Sequence, residues 1–122
     1  INASTLIAAQ GLAKEVIAAP HVMDWAIRLV LSTQPHSPYF TAKTKRFIRC
    51  GASPRAAQSM IAMGKVRALL AGRYALAIDD LRAVALPALR HRLALTFEAD
   101  ADGVNVNEIV RRLVKNMPLE AP

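Results

Sequence analysis

Gly51-Ala52-Ser53-Pro54-Arg55 opens a helical pattern that runs from Pro54 to Ala71 and stops at Gly72. Ser53 suits the N-cap, Pro54 suits the first helical position, and Gly51 eases the entry. Met60, Ile61, Gly64, Ala68 and Leu69 recur at helical spacing, and Gly64 with the surrounding alanines implies close approach by another helix. Arg55 falls in the first turn, where aligned peptide dipoles already make the helix end positive. A fixed cation there is unfavourable by roughly 0.3 to 1 kcal/mol. Two readings fit: a solvated surface arginine, or a residue that awaits a polyanion, since helix N-termini attract phosphate.

Outward from this stretch, more helices follow from the spacing of apolar residues. Leu6, Ala9, Ala13, Val16 and Ile17 predict a first helix over residues 4–19, ended by Pro20. Residues 21–33 predict a second, with Trp25 as a core anchor and Asp24 and Arg28 on the opposite, polar face. Residues 34–52 read as a long irregular connection with room for a short helix over Lys43 to Ile48. A fourth helix opens near Ala77, where the N-cap is weak but Asp79 and Asp80 suit the dipole, and Pro87 is expected to kink or interrupt it. Residues 96–103 read as irregular. Asn105, with Glu108 three positions on, starts a last helix through Lys115. The pattern is an all-α orthogonal bundle of about five helices, with no convincing strand and no internal repeat.

The composition agrees. The 122 residues are enough for one domain, 53% are hydrophobic and 5% aromatic, a balance that favours helices over a β-sandwich and argues against disorder. Cys50 is the lone cysteine, so no internal disulfide can form; it reads as a small buried filler, and with no secretory leader in view a reducing cytoplasm is expected. No uncharged run reaches the roughly 18 apolar residues that a membrane span needs. The start Ile1-Asn2-Ala3, without Met, suggests a piece of a longer protein.

The net charge of +7 raises the question of an acidic partner. Lys43, Lys45, Arg46 and Arg49, interleaved with Tyr39, Phe40 and Phe47, could bind a nucleic-acid backbone or form a solvated basic loop. Other chemistry finds little support. Gly64-Lys65 lacks the first glycine and the hydroxyl of a phosphate-binding loop. His21, His36 and His91 are scattered and Cys50 is alone, so no metal site or nucleophile-base pair assembles. Asp79-Asp80 read as first-turn dipole compensation rather than metal ligands, and Arg73 as a partner for the preceding helix's last carbonyls.

Beyond that block, Lys65-x-Arg67-Ala68-Leu69-Leu70-x-Gly72-Arg73-Tyr74, Val84-Ala85-Leu86-Pro87-x-Leu89-Arg90-His91-Arg92 and Phe97-Glu98-Ala99 follow in order. In sequence and spacing this resembles the C-terminal helical lid of MoxR-type AAA+ ATPases, from about Leu6 to Pro118. Val22-Met23-Asp24-Trp25 resembles that family's hydrophobic helix with an aromatic after Asp. Three departures stand out: Gln34 where the family often has Arg, a longer 34–52 connection, and Ala77 in place of a Ser or Thr cap.

The resemblance implies that Arg55 is the sensor 2 residue facing the nucleotide's γ-phosphate, with Gly51, Ser53 and Pro54 supporting it. It implies that residues 1–122 are one lid domain of a larger ATPase that remodels or activates other proteins. ATP and Mg²⁺ would belong to that parent, whose core carries the Walker motifs absent here. The implied partners are the AAA+ core of the same or a neighbouring subunit, a homo-oligomeric ring, expected to be a hexamer, and proteins with von Willebrand factor A domains. A stand-alone helical nucleic-acid-binding domain is the alternative.

Overall fold

A computed structural model of the chain describes residues 2–35, 37–39 and 42–120, with the backbone only at Lys43 and Thr44. The elements in order are α1 (Ala3–Lys14), α2 (Pro20–Leu31), α3 (Ala42–Phe47), β1 (Ile48–Cys50), α4 (Pro54–Leu70), α5 (Ile78–Leu89), β2 (Ala94–Leu95), α6 (Phe97–Ala101) and α7 (Val106–Asn116). The all-α bundle holds. Two short helices, α3 and α6, add to the five long ones, and a small antiparallel pair departs from the expectation of no strand: Ile48 faces Leu95 and Cys50 faces Ala94 across a bulge. Strands of three and two residues are too short to show an alternating pattern.

The core lies where α2, α4, α5 and α7 meet. Trp25, Leu29, Met60, Leu81 and Leu89 are fully buried there, so Trp25 is the anchor its spacing implies. Its indole N–H has no hydrogen-bond partner among the described residues, and the Arg82 guanidinium lies 5.9 Å from the ring centroid. Helix α4 supplies small residues, and a Cβ added at Gly64 would lie 2.7 Å from Leu76 Cδ1 and 3.3 Å from Leu81 Cδ2. This is the close helix approach that the alanine-rich pattern predicts. Gly72, at φ 78°, ends the segment in the left-handed region.

Several local expectations change. Helix α1 ends at Lys14, not Ala19, because Ile17 bridges Ala75: its N–H donates to the Tyr74 carbonyl at 2.8 Å, and its carbonyl accepts from Leu76 at 2.7 Å. No residue of α1 is buried. Helix α5 runs through Pro87 to Leu89; Pro87 and Ala83, whose carbonyl loses its usual partner, both lie on the exposed side. Thr96 caps α6 by accepting from Ala99 N–H, and a helix of five residues is below what periodicity can detect. Asn105 caps α7 as expected, accepting from Glu108 N–H at 3.0 Å. Cys50 is exposed rather than buried, since β1 turns only Ile48 inward.

Arg28 and Asp80 depart furthest from their sequence readings. Arg28 is 2% exposed rather than on a polar face, because the segment after α7 folds back over α2. Its guanidinium donates to Asp24 and to the carbonyls of Pro118 and Leu119, at 2.8, 2.9 and 3.1 Å. Asp80 does more than suit the dipole. It is 1% exposed, accepts from Ala77 N–H at 2.9 Å, and holds Arg73 through two bonds of 2.8 and 2.7 Å. Arg73 thus binds the next helix rather than the last carbonyls of α4. The weak cap at Ala77 is offset from within the helix, by its third residue.

Trp25→Ala is expected to destabilise the chain by about 3 to 5 kcal/mol, as a large core truncation, measured by chemical denaturation. The Arg73 hydrogen bond, opposed by burial, holds the Asp80 carboxyl below its ordinary range. A depressed folded value gives stability that is fully present above the unfolded value, about 3.9, and is lost as pH falls through the folded value. Asp80→Asn should therefore cost about 2 kcal/mol at pH 7 and less below pH 4, a convergence that denaturation curves at the two pH values would reveal.

Candidate functional site

Arg55 is placed by the joint between the end of α2 and the start of α4. Thr33 follows α2 and is fully buried. Its hydroxyl donates to the Val30 carbonyl at 2.6 Å and accepts from Ala52 N–H at 3.0 Å. The Gln34 side-chain amide donates to the Ala52 carbonyl. Both backbone groups of Ala52 are therefore held by two consecutive residues of one neighbouring segment. Gly51 is required for a different reason from the one its sequence context suggests: a Cβ there would run into the Thr33 carbonyl oxygen. Backbone meets backbone at this point, and only glycine fits.

The helix then starts at Ser53, whose extended backbone (φ −80°, ψ 169°) is that of an N-cap, with Pro54 in the first turn. Ser53 makes no side-chain cap bond, so its expected supporting role is limited to backbone geometry. Ala52, Ala56 and Met60, at 1%, 0% and 0% exposure, seat the turn in the core. Ser53, Pro54 and Arg55 face out. Arg55 has no ion pair or hydrogen-bonded side-chain partner among the described residues. A fixed cation is thus held, uncompensated, at the positive end of a 17-residue helix.

Beside it, between α2 and the first turns of α4, lies an apolar cleft of 700 Å³ lined by Ile27, Val30, Leu31, Pro54, Ala57 and Ile61, among others. A cation next to an apolar recess can take a ligand with an anionic end and a flat apolar body. A second apolar groove of 760 Å³ runs along the other side of α4 against α1, with Leu6, Ala13, Val66 and Leu69 on its walls.

The β1–β2 pairing brings the turn after α5, Arg90-His91-Arg92, alongside the start of α4. Arg90 and His91 are exposed. Arg92 is half-buried, and its Nη2 donates to Ser59 Oγ at 3.2 Å. Thr33, Gln34 and the Arg92–Ser59 contact were not readable as site features. Each joins residues far apart in sequence, and no local pattern marks them.

The basic cluster disperses. Arg46 is engaged by Glu98 and Asp102 at 2.7 and 2.8 Å, and these partners raise its pKa, the Glu98 hydrogen bond most. Phe47 is buried, with Arg46 packed 5.2 Å from its ring centroid, and is not free to stack a base. Lys45 and Arg49 remain exposed, whereas Phe40 and the Lys43 side chain lie outside the described residues, as does His36. Among the described residues no three His, Cys, Asp or Glu side chains gather to hold a metal ion, and no helix is long and apolar enough to cross a membrane.

A helical bundle whose second long helix buttresses the N-terminus of the central one, with an exposed arginine in that first turn, is the architecture of an AAA-type lid. The family model described as "AAA lid domain" matches residues 41–113, and the chain belongs to that family. It is 29% identical over 119 residues to "Chaperone MoxR1" of Mycobacterium tuberculosis, a match that covers 98% of this chain and 32% of the relative. It superposes with a TM-score of 0.85, at 25% identity, on the crystal structure of "a putative ATPase" from Cytophaga hutchinsonii, over 91% of this chain and 34% of that one. The lid is of the MoxR type, as the order of its sequence blocks implies. The chain spans about a third of the length of both relatives.

Gly51→Ala should force the joint apart and cost about 1 to 3 kcal/mol, as overpacking does. Thermal unfolding would check the loss, and a variant as stable as the natural chain would show that the joint yields.

Proposed function

We propose that this chain is the nucleotide-responsive lid of a MoxR-like AAA+ ATPase, with residues 1–122 forming one domain of the longer protein and Arg55 as its sensor 2 residue. The observation that carries this reading is an exposed guanidinium, without a carboxylate, on a helix N-terminus clamped by Thr33 and Gln34. A planar fork of five donors suits the oxygens of a γ-phosphate, and a rigid base lets the phosphate's presence or loss move the whole lid. The residues present fit the phosphate end of ATP; among the described residues no acidic cluster gathers for Mg²⁺. In this reading Mg²⁺ and the phosphate cradle belong to the parent's core, which supplies the chemistry of phosphoryl transfer.

Arg55 then has two tasks. It neutralises charge on the outer phosphate, and it couples that phosphate to the position of α4. The lid's partner is an AAA+ core, of the same or a neighbouring subunit, in a homo-oligomeric ring of six. The likeness to a chaperone supports work on other proteins. In this reading those proteins are remodelled or activated in the cytoplasm, and proteins with von Willebrand factor A domains are the partner class.

Arg55→Ala in the whole ATPase should lower turnover by an order of magnitude or more, toward the roughly 10³-fold seen when a charge-stabilising arginine is lost. Arg55→Lys should recover little, because a point charge does not reproduce the fork. In the 122-residue chain, Arg55→Ala should leave stability unchanged or raise it by up to about 1 kcal/mol, as an unfavourable dipole contact is removed. Steady-state ATPase rates and denaturation of the lid decide between a sensor and a structural role. Full turnover would refute the sensor role, and an unfolded lid would make Arg55 structural.

A further inference from the structure

Charge is sorted across this molecule. Arg28, Arg46, Arg67, Arg73 and Arg82 each lie within ion-pair distance of a carboxylate, whereas Arg49, Arg55, Arg90, Arg92, Arg111 and Arg112 have none among the described residues, and of these Arg55 and Arg92 are drawn to the same helix. Those two come from motifs 37 positions apart in sequence, and the fold carries Arg92 onto the helix that bears Arg55. Arg92 Nη2 donates to Ser59 Oγ at 3.2 Å, and Ser59 is four residues, one turn, beyond Arg55.

The setting of Arg92 is not that of a satisfied structural arginine. Its Nε is buried without a hydrogen-bond partner among the described residues, and the bond the guanidinium does make there is to a neutral hydroxyl. A guanidinium withdrawn from water normally takes a carboxylate or several carbonyls, as the buried Arg28 does here. Arg90, at the C-cap of α5, sits where the helix dipole favours a cation and needs no further explanation. Arg92 instead turns onto α4, near its positive end, and adds charge to the helix that already carries Arg55. Two fixed cations kept together without an acid make a site for an anion with more than one charged group.

We propose that Arg92 is a second phosphate-binding residue of the Arg55 site, so that α4 and the turn after α5 together grip one polyphosphate chain. This rests on the reading of Arg55 as a phosphate-facing residue. Arg55 takes the outer phosphate and Arg92 a neighbouring one, with Ser59 holding the second guanidinium in place. A lid that touches two phosphates is sensitive to the length of the chain as well as to its presence.

The test uses the 122-residue chain, labelled with ¹⁵N and titrated with inorganic triphosphate at constant ionic strength, while the arginine Nε–Hε resonances are followed. The Arg55 and Arg92 resonances should shift together along one isotherm. Arg92→Gln should weaken binding about tenfold, the loss of one charge-assisted contact, and Arg92→Lys by less. Orthophosphate should bind with no dependence on Arg92. Arg111→Gln and Arg112→Gln on α7 should leave the isotherm unchanged.

If the Arg92 resonance stays still and the Arg92 variants bind as the natural chain does, while Arg55→Gln abolishes binding, the second contact is refuted and the reading of Arg55 stands. If Arg55→Gln has no effect either, both fall. The natural chain's own Arg92 resonance decides the matter even if a variant does not fold.

Discussion

The backbone contact between Gly51 and Thr33 is the constraint on which the rest of this lid depends. At that point the strand-to-helix entry passes so close to the end of α2 that no side chain fits between them. The close approach lets the Thr33 hydroxyl and the Gln34 amide hold both polar groups of Ala52. The direction of α4 is therefore decided before the helix begins. Ser53 contributes no cap bond, so tertiary contacts replace the local device that usually starts a helix. Exposed on the outer side of this joint, Arg55 inherits its rigidity.

A similar substitution of distant for local support recurs elsewhere. Ala77 cannot cap α5, and Asp80, gripped by Arg73, supplies the missing acceptor from inside the helix. Arg28 satisfies carbonyls beyond the end of α7 that no helix could satisfy. Buried charge in this fold is thus spent on chain ends and turns. Arg55, exposed in the first turn of α4, has no such structural employment among the described residues.

Much of this was legible from residue order. Apolar spacing located the five long helices, Trp25 in the core, Gly72 as the stop of α4 and Asn105 as the cap of α7, because these depend on neighbours within a few residues. The block Gly51–Arg55, with the Arg90-His91-Arg92 block downstream, was enough to indicate the family. The short helix allowed for over Lys43 to Ile48 is α3, but elements of two to five residues were not legible, since α6 and the β1–β2 pair are too short for periodicity to rise above composition.

By itself, the sequence determined that this protein is a helical bundle and that a cation sits in the first turn of its central helix. Helical period, caps and dipoles act within a turn or two, and so they are written locally. Only the tertiary structure decided that Arg28 is buried and Cys50 is not, that Gly51 is there to make room for Thr33, and that Arg92 reaches Ser59 on α4, one turn beyond Arg55. Each of these is a meeting of segments separated along the chain. Such a meeting depends on how the apolar faces pack, which no short stretch of residues encodes.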